Sequence, residues 1–358
     1  MTSNLKSSAL SHADSDPGGN LYRLAIVGAG AIKGKEVAEV LGDRNFPSSD
    51  IKLLDDDETL GQLESVGEEI TFIQKIRAEQ FQKVDFTFFA ADPECTRKNW
   101  KTARDAGSAI VDLSYALEDE PGAQVRSPWI GRQLGQSMTP ELQPGPAVIA
   151  HPAAVVLSLL LLRAQKMSKV KRALATVFEP ASEHGQKGID ELHEQTVNLL
   201  SFQTLPKKIF DTQIAFNMVE RYGENSAPAL ATVEGRIRKH YRRIAGPDAP
   251  ALSLMLLQAP IFHGHAFAIH VEIERAVDVE SVVQGLAGEH VNVIQGPDDF
   301  PSNVAAAGQR DIQVAVVPDD QANGFWLWAA SDNLRIAALT AVECAESMAA
   351  TRPRGTIQ

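Results

Sequence analysis

Apolar residues run from Leu21 to Val27 and stop at Gly28, and after Gly34 the stretch Glu36 to Leu41 (EVAEVL) repeats its apolar positions at helical spacing. The pattern predicts a strand, a glycine turn and a helix. A second apolar run, Ile51 to Leu54, ends in the acidic cluster Asp55-Asp56-Asp57-Glu58. Further strands are predicted over Val84 to Ala90 and Ala109 to Leu113, with a helix over Thr96 to Ala106 between them. Strands alternating with helices predict a parallel, doubly wound sheet.

Beyond about residue 150 the pattern changes. Leu174 to Phe178, Ser253 to Ala259, His265 to Glu274 and Ile312 to Val317 alternate like strands of a broader sheet with one face covered by helices. Helices are expected over Gly188 to Leu200 and Thr232 to Ile244. The latter carries Arg236, Arg238, Lys239, Arg242 and Arg243, a charge run read as a solvated face in preference to an anion site. The expected fold is α/β: a Rossmann-type nucleotide-binding domain (21–152 with 329–358) and an α+β catalytic and dimerisation domain (153–328), preceded by a polar, floppy leader over 1–20.

With 358 residues the chain can bury two cores, and a formal charge of −12 repels both nucleic acid and anionic lipid. Neither is an expected partner. The longest apolar run, Ala153 to Leu162, falls well short of the roughly 20 residues that cross a bilayer. The leader lacks an apolar core behind a basic start, so it does not read as a signal peptide, and the cytoplasm is the expected compartment. Cys95 and Cys344 lie far apart, match no metal-ligand spacing and are read as packing residues.

The glycine turn, Gly28-Ala29-Gly30-Ala31-Ile32-Lys33-Gly34, is G-x-G-x-x-x-G where the usual dinucleotide turn is G-x-G-x-x-G. Set between strand and helix, Gly28, Gly30 and Gly34 let backbone approach a pyrophosphate, and the helix opening at Ile32 offers its N–H groups. Asp55 stands where an acid meets the adenine-ribose hydroxyls. With Asp56, Asp57 and Glu58 beside it, NAD is expected over NADP. A solvated acidic turn is the alternative.

Seven segments together resemble the aspartate-semialdehyde dehydrogenases over nearly the whole chain from Tyr22. They are VGAGAIKGKEV, Phe46-Pro47, IVDLSYAL (Ile110 to Leu117), IAHPAAVV (Ile149 to Val156), GQKGIDEL (Gly185 to Leu192), APIFHGHA (Ala259 to Ala266) and LWAASDNLRIAALTAVECAE. The stretches IFDTQIAFNMV and LQAPIF are most similar to the divergent Usg-type branch. The resemblance implies a homodimer and a cofactor contact from Asn333. It also exposes departures. The family motif Asn-Pro-Asn-Cys reads His151-Pro152-Ala153-Ala154 here, so Ala154 replaces the nucleophile. The arginine that holds the substrate carboxylate is replaced by Gln258, seven residues before the retained acid/base His265. The phosphate-binding arginine corresponds to Glu118, the active-site glutamine to Glu179, and a substrate or phosphate lysine to Arg236.

Loss of a covalent nucleophile removes several orders of magnitude in rate, and a lost bidentate arginine adds to the deficit. The expected protein is therefore a homodimer that binds a nucleotide or small metabolite without phosphorylating dehydrogenation. The alternative is an NAD-dependent oxidoreductase on another small acid or aldehyde, with His265 as base and no cysteine. His151, Glu179, His184 and His265 come from segments lining the family's cleft and offer metal-binding or acid/base chemistry. A lone histidine is more often hydrogen-bonded structure, so no metal is assigned from sequence.

Overall fold

The computed structural model describes residues 21–56, 61–66, 69–136, 145–296, 299–319 and 323–351. The expected leader, and Asp57 and Glu58 of the acidic cluster, lie outside the described residues. In the first half the chain runs β1 (Tyr22–Val27), α1 (Ile32–Asp43), β2 (Ser48–Asp55), β3 (Leu63–Val66), β4 (Glu69–Phe72), β5 (Gln74–Lys75), β6 (Phe86–Phe89), α2 (Pro93–Asp105), β7 (Ala109–Asp112), β8 (Gln124–Arg126), α3 (Pro128–Gln133), β9 (Ala147–Ile149) and α4 (Pro152–Met167). The strands form a sheet of order β5-β2-β1-β6-β7-β9-β8, paired in parallel throughout, with β3 and β4 as a separate hairpin. Order reverses between β1 and β6, which places a crevice at the strands' carboxyl ends.

The second half runs β10 (Val170–Glu179), α5 (Gly185–Leu200), α6 (Leu230–Ala245), β11 (Leu252–Gln258), β12 (His265–Ile273), α7 (Val279–Leu286), β13 (Val291–Val293), α8 (Asn303–Ala306), β14 (Ile312–Asp319), β15 (Gly324–Ser331) and α9 (Asn333–Thr351). Its mixed sheet has the order β11-β10-β12-β15-β14-β13. β15 runs to Ser331, so the expected return to the first domain at residue 329 falls inside this sheet, and the crossing comes at α9, which packs on α1. Phe325, Leu327 and Ala329 face the core in step with β12, and the register holds to Ser331.

The same period-two pattern places the polar residues. In β10 Ala173, Ala175, Val177 and Glu179 share the buried face, in β11 Leu254, Leu256 and Gln258, and in β12 His265, Phe267 and Ile269. Glu179 pairs with Gln258, and His265 with Ser331. The ionisable groups thus gather at one end of a helix-covered sheet face. The opposite face leaves Leu174, Met255, Trp326 and Trp328 exposed. Between the sheets lies α4, whose residues from Pro152 to Ala164 are all buried. No helix among the described residues is long and apolar enough to cross a membrane.

Candidate functional site

The N-terminus of α4 points at that end of the second sheet. His151 is its N-cap and Pro152 its first residue, and His151 Nδ1 accepts the Ala153 N–H at 3.2 Å. The imidazole therefore takes up a free donor at the helix end. Ala154, one residue further on, is fully buried. Tyr115 stacks on the His151 ring at a centroid separation of 5.6 Å.

Beside His151 stand His265 and Glu179, all three within 1% of complete burial. His265 Nε2 lies 3.0 Å from Glu179 Oε2, and the His151 and His265 rings are 5.6 Å apart. Burial pushes the Glu179 carboxyl above its ordinary range, partly offset by the His265 hydrogen bond. Burial also holds His151 well below the usual imidazole value, so its ring is neutral at pH 7.

Two charges that the sequence reading missed complete the cluster. Glu183, on the turn after β10, lies 3.8 Å from His151 Nε2 and 3.5 Å from Lys33 Nζ, a residue of the glycine turn itself. Burial works against the Glu183 anion, yet Lys33 and the Asn333 amide hold its carboxyl well below the ordinary value. Asn333, expected at the cofactor, donates from Nδ2 to Glu183 at 2.7 Å and accepts at Oδ1 from Gly264 N–H and the Ser182 hydroxyl. Its amide is committed within the protein.

Gln258 is likewise engaged by protein groups. Its Nε2 donates to the Glu179 and Ala259 carbonyls and its Oε1 accepts from Tyr222 Oη at 2.7 Å. Tyr222 in turn meets His184 Nε2 at 3.0 Å, which sets His184 against Phe210 and Tyr222, apart from the His151, Glu179 and His265 donors.

Burial lowers the His184 pKa to about 4. The unfolded chain therefore takes up this proton first, and the associated stability, complete above about pH 6.5, is lost as pH falls toward 4. At about 1.4 kcal/mol per pH unit the loss reaches about 3 kcal/mol. Denaturant melts of the wild type and His184→Gln from pH 7 to 4 are expected to diverge by that amount, the variant showing the shallower fall.

Glu118 is engaged by α6. The sequence reading set it against a phosphate. In the structure it neutralises α6, accepting from His240 Nε2 at 3.0 Å, with Arg236 Nε at 3.5 Å and Lys239 Nζ at 3.8 Å. Burial raises its pKa, but these partners overcome that and hold it at about 2. The basic run is thus divided: residues 236, 239, 240 and 243 converge on Glu118 and Asp119, while Arg238 pairs with Glu234. Arg236 also lies over the Tyr115 ring, 4.8 Å from its centroid. His240 Nδ1 accepts the His151 backbone N–H at 2.9 Å, tying α6 to the N-terminus of α4.

At the other end of the cleft the glycine turn is compact. Gly28 adopts φ +84°, α1 starts at Ile32 without a side-chain cap, and Asp55 Oδ2 accepts the Gly30 N–H at 2.8 Å. Burial raises the thiols of Cys95 and Cys344 to about 11, in keeping with packing residues.

A parallel nucleotide-type sheet joined to a mixed sheet that carries a buried carboxylate and imidazole cluster at its helix-covered end defines a two-domain protein with a dinucleotide-binding type of fold. Residues 23–157 match the domain described as "Semialdehyde dehydrogenase, NAD binding domain", and residues 160–336 match "Semialdehyde dehydrogenase, dimerisation domain". The chain belongs to the semialdehyde dehydrogenase family. It is 31% identical over 332 residues to a USG-1 protein homolog of Azotobacter vinelandii, covering 90% of this chain and 96% of that one. An aspartate-semialdehyde dehydrogenase of Rickettsia bellii is 28% identical over 343 residues, 92% of this chain and 98% of the other. The structure of a probable aspartate-semialdehyde dehydrogenase from Pseudomonas aeruginosa superimposes with a TM-score of 0.80 at 28% identity, over 91% of this chain and 98% of that one.

Proposed function

We propose that this chain is a homodimeric nucleotide- or metabolite-binding member of the family that does not carry out phosphorylating dehydrogenation of aspartate semialdehyde. The carrying observation is the N-terminus of α4, where Ala154 is fully buried and His151 accepts the Ala153 N–H. A methyl group cannot attack an aldehyde, and the helix end that would favour a thiolate already has a cap. Gln258 and Glu118, both engaged by protein partners, support the same reading.

The glycine turn fits NAD at its pyrophosphate end, through the uncapped N-terminus of α1 and the close-packed Gly28 and Gly34. Asp55 and Asp56 favour NAD over NADP by repelling the extra phosphate. Bound NAD would supply hydride chemistry, but Lys33 and Asn333 are tied to Glu183 beside the cleft. Binding is therefore expected without semialdehyde turnover. A thermal-shift titration should show stabilisation by NAD exceeding that by NADP, while aspartate semialdehyde with phosphate yields no NADH or NADPH. Turnover at ordinary enzyme rates overturns the proposal.

The exposed sheet face around Met255, Trp326 and Trp328 supports the homodimer, because apolar side chains of this size crowded on one face mark an interface. Met255→Glu is expected to weaken self-association at least about 100-fold, read by light scattering, since it buries an unpaired charge. A second reading, direct hydride transfer to another small acid or aldehyde, draws on the buried His265 and Glu179 pair as acid and base. Substrate-dependent NADH formation that His265→Asn abolishes would select it.

A further inference from the structure

Buried polar groups are almost always hydrogen-bonded, and exceptions call for a water, an ion or a mechanistic role. In the cluster between α4 and the second sheet, Glu179 Oε1 and His265 Nδ1 are buried without a hydrogen-bond partner. His151, Glu179 and His265 each bring one donor atom to within 4.8 Å of the others. We infer that these three residues form a binding site for a divalent transition metal of the zinc or ferrous class.

The donor set matches that class. Two imidazoles and one carboxylate suit zinc and ferrous iron, whereas magnesium and calcium take all-oxygen shells. Tetrahedral ligands at about 2.1 Å from a metal stand about 3.4 Å apart, so donor separations of up to 4.8 Å must close by up to about 1.4 Å, while the His265 and Glu179 atoms now 3.0 Å apart open slightly. Side-chain rotation can supply that. Glu183, 3.8 Å from His151 Nε2, is within reach of the fourth position directly or through a water.

Charge points the same way. Glu179 and Glu183 bring two carboxylates into a dry cluster where Lys33 is the nearby fixed cation. Lys33 answers one of the two carboxylates, and an ion between the imidazoles and Glu179 meets the other, which a buried group otherwise relieves by taking up a proton. Outer contacts already orient the ligands, as metal sites require. Tyr115 stacks on His151, the Ala153 N–H donates to His151 Nδ1, which leaves Nε2 for the ion, and Asn333 holds Glu183. The occupied and unoccupied alternatives differ in the partner of Glu179: a metal in one, the His265 ring alone in the other.

The test uses full-length protein without a histidine tag, produced in zinc-supplemented and, separately, cobalt-supplemented medium, then dialysed exhaustively against metal-free buffer. Elemental analysis is expected to find about one equivalent per chain, and the cobalt form is expected to show visible d–d absorption of a low-symmetry site. Glu179→Gln and His265→Gln should each retain less than about a tenth of an equivalent, while His193→Gln, altering an exposed histidine on α5, retains the full amount. A wild type holding less than about a tenth of an equivalent overturns the inference even if the variants fail to fold. Full retention in both site variants overturns it as well, since the metal would then sit elsewhere. Nucleotide binding is scored separately by the NAD thermal shift, so the fate of the metal site and that of the proposed function are distinguishable.

Discussion

Ala154→Cys, which returns a thiol to the third residue of α4, is expected to leave NAD(P)H formation from aspartate semialdehyde and phosphate below detection, at least about 10⁴-fold short of a working covalent enzyme. A helix N-terminus lowers a thiol's pKa when the sulfur is the main acceptor of its dipole and donors. Here His151 already accepts the Ala153 N–H, and position 154 has no solvent exposure. Burial therefore governs. The protein's own buried thiols, Cys95 and Cys344, are pushed up to about 11, and the introduced one is expected to share that fate. Alkylation with iodoacetamide across pH, followed at residue 154 by peptide mass, should show labelling only in alkaline buffer. Rapid labelling at pH 7 with a burst of reduced cofactor would refute this account. Even a reactive thiol would lack a carboxylate anchor, because Gln258 spends its amide on the Glu179 and Ala259 carbonyls and on Tyr222.

The two-sheet architecture was legible in the sequence because its signals are local. Alternation in β10, β11 and β12, and the strand, glycine turn and helix at the start, each follow from the side-chain period of a few residues. The grouping of His151, Glu179 and His265 was also visible in outline, through the resemblance of their segments to the family's cleft, whereas His184, read together with them, packs on Tyr222 and Phe210 instead. What stayed hidden were partnerships set by approach in space. Glu183 and Lys33 are separated by 150 residues, and only folding shows that one answers the other. Glu118 read as a charge reversed against a phosphate, whereas its role depends on His240, Arg236 and Lys239 arriving on α6. Asn333 and Gln258 matched positions of contact with ligand, yet amides have several donors and acceptors and the fold uses them internally.

The glycine turn carries the second large prediction, because there sequence alone cannot separate architecture from binding. A Cβ on Gly28 would sit 2.4 Å from the Ala91 nitrogen and 2.5 Å from its Cα, at φ +84°, which L side chains rarely adopt. One on Gly34 would lie 2.0 Å from the Gly28 oxygen. Both glycines are thus required for α1 to dock on β1 and for the loop after β6 to close over the turn, whether or not a nucleotide ever binds. Gly28→Ala is expected to cost about 4 kcal/mol or to prevent folding, since backbone must move to accept the methyl and a left-handed alanine adds about 1–2 kcal/mol. Gly30 differs. It is outside the positive-φ glycines, and its N–H donates to Asp55. Gly30→Ala should therefore melt within about 1 kcal/mol of wild type, yet its methyl would stand where a pyrophosphate approaches the backbone, and the NAD-induced thermal shift should vanish. If Gly30→Ala keeps both its stability and a full NAD shift, the turn serves packing alone and the nucleotide reading fails. If Gly28→Ala folds normally, the packing account of the turn fails instead, and the two roles are separated by one pair of melts.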